Sequence, residues 1–146
     1  MYHNPEVELK TEQGETYLTL THDQDRNVIY LNWTWKYQYG FKVIKESMPE
    51  VIDFVKKTGA TGGLEDLRTV QDTWDPINEW IGEVWVPGLL DVGIKYWVLI
   101  EPEEFFAELS AELMKDGIVA NGLPTVFVKS IEEGQRWIEN NQLKKV

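Results

Sequence analysis

The sequence predicts a single α/β domain spanning residues 1–146, with a mixed sheet that opens on an antiparallel hairpin and continues as β-α-β-α-β-α alternation. Three observations predict it. Two N-terminal segments alternate apolar and polar residues with the period of half-buried strands. Further on, apolar residues recur at spacings of three and four, as on one face of a helix. An almost unbroken apolar run, Ile94 to Ile100, then has the length of a strand buried on both faces. Right-handed crossovers between the later strands place helices over the sheet.

The strands come first. Thr16 to His22 alternates Leu18 and Leu20 against Tyr17, Thr19 and Thr21, and Val28 to Trp35 alternates Ile29, Leu31, Trp33 and Trp35 against polar neighbours. Between them Asp23-Gln24-Asp25-Arg26-Asn27 is a turn, because Asp and Asn bond locally to the backbone and tolerate left-handed conformations. From Phe41 the positions Ile44, Met48, Val51, Ile52 and Val55 describe a helix that Lys56-Lys57 and Gly59 close. It reads as one helix kinked at Pro49; the alternative is a stable helix that starts near Ser47, whose spacing to Glu50 matches a capping box.

Gly62 to Leu67 is a short strand, and Asp75-Pro76 opens a second helix as N-cap and first helical residue, with Ile77, Trp80, Ile81, Val84 and Trp85 as its apolar face. Ile94 to Ile100 is expected at the centre of the sheet. Pro102 to Lys115 is a third helix with Phe106, Leu109 and Leu113 inward, Glu103, Glu104, Glu108 and Glu112 facing water, and Gly117 at its end. Thr125 to Val128 is the last strand. Ser130-Ile131-Glu132-Glu133 is a capping box for a final helix burying Ile131, Trp137 and Ile138, and Lys144-Lys145 suits its C-terminus. No repeat, linker or low-complexity tract interrupts the chain.

Composition bounds the function. At 146 residues, 42% hydrophobic and 27% charged, with seven Trp, six Tyr and five Phe, the chain supplies one core. Its formal charge of -11 repels phosphate backbones and anionic lipid, so neither nucleic acid nor anionic membrane is an expected partner. The absence of cysteine excludes disulfides, thiolate metal sites and cysteine nucleophiles. Met1 to Glu6 has no basic start or apolar stretch, and no run approaches the roughly 18 apolar residues of a spanning helix, so a cytoplasmic location without membrane insertion is expected.

Certain residues and the order of elements resemble the STAS superfamily, the fold of bacterial anti-sigma-factor antagonists, especially its SpoIIAA-like branch. The resemblance spans nearly the whole chain. It rests on the hairpin ending in Trp33, on Gly63-Leu64-Glu65-Asp66-Leu67-Arg68, on the helix Trp80 to Trp85 running into Pro87, on Gly93-Ile94-Lys95 and on Ile131 to Ile138. In antagonists of that superfamily a serine just after an Asp at the end of this strand is phosphorylated to release the partner. Here Asp66 matches the acid, Leu67 stands at the serine position and Arg68-Thr69 follow. The resemblance thus implies a regulatory module without the usual serine, in which Thr69 or Thr73 could carry a phosphate near a helix N-terminus.

The residues offer little catalytic or metal chemistry. Asp23 to Asn27 opens like a calcium loop, but the sixth position is Val28 where glycine is needed and the twelfth is Thr34 where a bidentate Glu is needed. Gly59-Ala60-Thr61-Gly62-Gly63 leads into a strand and lacks the Lys-Ser or Lys-Thr of a phosphate loop. His3 and His22 cannot form a metal cluster, and Ser47, Ser110 and Ser130 lack a nucleophile elbow. No cofactor or metal is expected. Asp66, Asp72, Asp75 and Glu101 could gather at the carboxyl edge of the parallel strands, where open α/β sheets bind ligands; Asp75 is already explained as a cap and Glu101 as a helix-start acid.

An aromatic surplus marks the same edge: Trp35, Tyr37 and Tyr39 leave the second strand, and Arg68, Thr69, Asp72 and Trp74 leave the third. Aromatics with an Arg are enriched in binding hot spots, although aromatics also build cores. The sequence therefore reads as a non-enzymatic STAS-like interaction module that binds a protein or small molecule there. The first alternative is a carrier or sensor of a small apolar ligand, given the likeness of STAS-like folds to CRAL-TRIO lipid carriers. A carboxylate enzyme built on Asp66 and Asp72 would need a raised pKa in a cleft. A homodimer through Trp74 and Trp85 is a further option.

Overall fold

Alternation produces the predicted hairpin: strands β2 (Thr16–Asp23) and β3 (Val28–Trp33) pair antiparallel, Leu18 opposite Trp33 and Leu20 opposite Leu31. In the turn Asn27 takes a left-handed φ of 55° and the Asp23 carboxylate accepts the Arg26 amide, the local bonding that favours Asx residues there. A further edge strand, β1 (Val7–Lys10), pairs with β2, and a bulge at the unpaired Tyr17 shifts their register. The computed structural model describes residues 5–143. His3 and the Lys144-Lys145 helix end lie outside the described residues.

The sheet has six strands in chain order, with β4 (Gly62–Asp66), β5 (Tyr96–Ile100) and β6 (Thr125–Val128) joining β3 in parallel. Helices α1 (Lys42–Thr58), α2 (residues 75–91) and α3 (Phe105–Ala120) cover one face around Leu31, Val51, Trp85, Trp97 and Met114. Helix α4 (Ile131–Leu143) covers the other around Tyr30, Leu64, Val98 and Ile138, with Trp137 against the Tyr96 ring. A mixed sheet between helical layers is thus the observed architecture.

Helix α1 runs unbroken through Pro49, and Ser47, fully buried, donates back to the Ile44 carbonyl, so the capping box and late start are excluded. Gly59 closes α1 at φ 71°, where a side chain would be strained. The Ser130 hydroxyl accepts the Glu133 amide and the Glu133 carboxylate accepts the Lys129 amide, a capping box displaced by one residue.

Three expectations are corrected. Asp75 makes no side-chain cap; its carboxylate accepts the Ser110 hydroxyl, and α2 begins as a 3-10 turn, Asp75–Ile77. Within α2, Ile81–Trp85 forms a π turn, which points Val84 outward while Ile77, Ile81 and Trp85 are buried. Strand β5 is an inner strand rather than the centre, with only β6 beyond it.

The largest correction is in α3. Its inward face is Ala107, Ser110, Ala111, Met114 and Ile118, whereas Phe105, Phe106, Leu109 and Leu113 point to solvent and the helix continues past Gly117. The helix has two apolar stripes, and the small one packs. Alanine and serine let α3 approach the sheet and α2 closely, and the Ser110 hydroxyl satisfies the Trp74 amide, which a large side chain could not do.

Gly62 and Gly63 open β4 because rings cross them: a Cβ on Gly63 would lie 2.2 Å from the Trp97 ring. Gly63→Ala is expected to cost about 1–3 kcal/mol, read as a lowered denaturant midpoint at unchanged slope.

Candidate functional site

Strand β4 ends in two consecutive carboxylates on opposite faces of a sheet covered on both sides, so both are buried. Toward α4, Asp66 accepts the Tyr30 hydroxyl and the Arg68 amide, and the Arg68 guanidinium grips it in a fork, Nε to Oδ1 at 3.0 Å and Nη2 to Oδ2 at 2.8 Å. Burial alone would raise the Asp66 pKa, but these bonds and the Arg68 charge outweigh it and hold the carboxyl below its ordinary range.

Toward α1, α2 and α3, Glu65 meets no cation among the described residues. Its Oε2 accepts the Trp33 indole N–H at 2.6 Å and its Oε1 that of Trp97 at 2.8 Å. The two rings reach it diagonally from the flanking strands, and Gly63 gives the Trp97 ring its room. Burial pushes the Glu65 carboxyl above the ordinary range, and the two indole donors oppose this only in part.

Glu65 borders a cavity of about 40 Å³ walled by Trp33, Trp35, Trp74, Val70, Ile81 and Met114, and a second of about 20 Å³ that reaches Trp85 and Trp97. The first lies at the carboxyl ends of β3 and β4, where the sheet reading expects a ligand. Its roof comes from the loops after β3 and β4. The Tyr37 amide donates to Asp72 and the Thr69 hydroxyl to the Trp33 carbonyl, so these bonds tie the two loops together.

The aromatic edge therefore divides. Trp35 and Trp74, 3% and 4% exposed, turn inward and become cavity wall; Trp35 stacks on Phe41 and donates to the Gly40 carbonyl. Tyr37 is exposed, Tyr39 is half-buried and donates to Glu15, and Arg68 is committed to Asp66. Thr73 shares a hydrogen bond with Ser110. Trp74 and Trp85 are both buried, so neither ring is available to the suggested dimer contact. The enzyme reading required a carboxylate raised in a cleft; Asp66 is lowered and Asp72 is half-exposed on a loop, whereas Glu65, which sequence reasoning passed over, meets that condition. Its signal was available: two adjacent carboxylates in a strand buried on both faces must put one on each side.

The second candidate surface is the outer face of α3. Phe105 and Phe106 are each 63% exposed and touch edge to face, with Leu109 and Leu113 following at helical spacing. Exposed Glu103, Glu108, Glu112 and Asp116 rim it, and Lys115, the one cation in the helix, lies over the Phe127 ring.

Fold and sites together define an α/β domain with a carboxylate-floored aromatic cavity and an acid-rimmed apolar helix face. No protein-family model matches the chain, and no curated protein matches it significantly in sequence. Among the described residues no group of three His, Cys, Asp or Glu side chains could hold a metal, and no helix is long and apolar enough to cross a membrane.

Proposed function

We propose that this protein is a non-enzymatic, STAS-like interaction module that docks a partner protein on the outer face of α3. The carrying observation is the stripe Phe105, Phe106, Leu109 and Leu113, four large apolar side chains in solvent on one helix. Contiguous exposed patches of that kind mark interaction surfaces on soluble domains, and aromatics are enriched in their hot spots. The STAS-like reading draws support from the mixed sheet with its N-terminal hairpin, and Leu67 still denies it the usual serine switch.

The rim decides the kind of partner. A second copy would bring Glu108, Glu112 and Asp116 against their own equivalents, and the chain carries -11 overall. Like charges at a rim disfavour that pairing. The complementary partner presents an apolar groove bordered by Lys and Arg, and its capture weakens with salt.

A photo-crosslinking residue at position 106, used in the source cells, is expected to trap one basic-rimmed protein. Leu109→Asp should weaken that complex about 30-fold or more, because it puts a charge at the centre of the patch, while leaving stability within about 1 kcal/mol since Leu109 lies on the exposed face of the helix. A self-adduct, or an adduct indifferent to Leu109→Asp, would refute the reading.

A further inference from the structure

We infer that the Glu65 cavity is a binding site for a small primary ammonium group, held between the buried carboxylate and the surrounding indoles. This site is separate from the α3 face and does not rest on its role.

Four observations converge. Among the described residues Glu65 is the only ionisable side chain bordering either cavity, and no Lys, Arg or His lines them. A carboxylate with two indole donors still has lone pairs to offer, and its desolvation has already occurred in the folded protein, so a cation meets a preorganised partner. Five tryptophans, Trp33, Trp35, Trp74, Trp85 and Trp97, border the two cavities, and aromatic faces attract ammonium groups in desolvated settings. Finally, Ile81 and Trp85, from the π turn of α2, form part of the wall, and such wide turns recur at functional sites.

Size selects the ligand. One water needs roughly 10–15 Å³ of such space, so a cavity of about 40 Å³ has room for ammonium or methylammonium and none for a lipid.

The test titrates the whole protein with methylammonium chloride and follows the Trp33 and Trp97 indole N–H resonances, with sodium chloride at equal ionic strength as the reference. Saturable shifts of both resonances are expected in the millimolar range, near the limit for a ligand of two heavy atoms. Methanol, the neutral isostere, and tetramethylammonium, a cation with no N–H to donate to the carboxylate, should leave both resonances in place. Glu65→Gln should weaken methylammonium binding about 30-fold or more. Equal shifts with methanol would reduce the site to an apolar void, and equal shifts with tetramethylammonium would reduce the effect to surface charge. No shift with methylammonium, or undiminished binding to folded Glu65→Gln, would overturn the assignment outright. If Glu65→Gln does not fold, the methanol and tetramethylammonium arms decide.

Discussion

Trp97→Ala is expected to remove about 4 kcal/mol or more of folding stability, a large share of the roughly 5–15 kcal/mol typical of a domain. The side chain is 1% exposed and lies across Gly63, so truncation opens a cavity that β4 cannot close by itself. It also strips Glu65 Oε1 of its donor, leaving a buried acceptor unsatisfied. Trp97→Phe separates the two losses. It retains most of the ring volume and deletes the indole N–H, so about 1–3 kcal/mol should go. Denaturant midpoints of the two variants give both numbers. A neutral Trp97→Phe would mean that the indole bond contributes nothing and that Glu65 is satisfied in another way.

The second large effect is on pH dependence, where Glu65 and Asp66 act in opposite directions. For Glu65 the folded pKa lies above the unfolded value of about 4.3, chiefly because the charged form is desolvated. The folded state then binds the proton more tightly than the unfolded one. Its contribution is fully present below about pH 4.3 and is lost as pH rises through the folded pKa. The groups facing it from α1, α2, α3 and the flanking strands, Ile44, Ile81, Met114, Trp33 and Trp97, carry no charge, so only the two indole hydrogen bonds offset that loss, and in part.

For Asp66 the folded pKa lies below the unfolded value of about 3.9, so its contribution is fully present above that pH and is lost as pH falls through the folded pKa. Glu65→Gln should therefore gain on the wild type between pH 4 and pH 8. Asp66→Asn should be weaker by about 2 kcal/mol at pH 7, where the Arg68 fork is intact in the wild type, and converge with it in acid. Chemical denaturation across that range checks both signs. A Glu65→Gln difference that stays constant from pH 4 to pH 8 would show that Glu65 titrates normally.

Much of the fold was legible because period and punctuation are local. The alternation of Leu18 to Leu20 and Ile29 to Trp33, the Asp23 to Asn27 turn, Gly59 and the Ser130 box all specify their elements within a few residues. Helix α3 shows where that reasoning fails. Its sequence carries a large apolar stripe and a small one, and periodicity favours the large. Close packing reversed the choice, because Ala107, Ser110 and Ala111 allow an approach that Phe106 and Leu109 would prevent. Asp75 failed for a related reason: its carboxylate found a tertiary donor in Ser110 before a local amide.

The α/β class, the order of elements from β2 onward, the net negative charge and the lack of thiol chemistry are written in the order of residues alone. That Trp35 and Trp74 face inward, that Trp33 and Trp97 converge on Glu65, and that the phenylalanines of α3 face water emerges with the packed chain. The physical reason is the range of the interactions. Backbone preferences and amphipathic period act within one turn or one strand, whereas the partner of a buried carboxylate or the choice between two apolar stripes depends on strands and helices that meet only when the chain has folded.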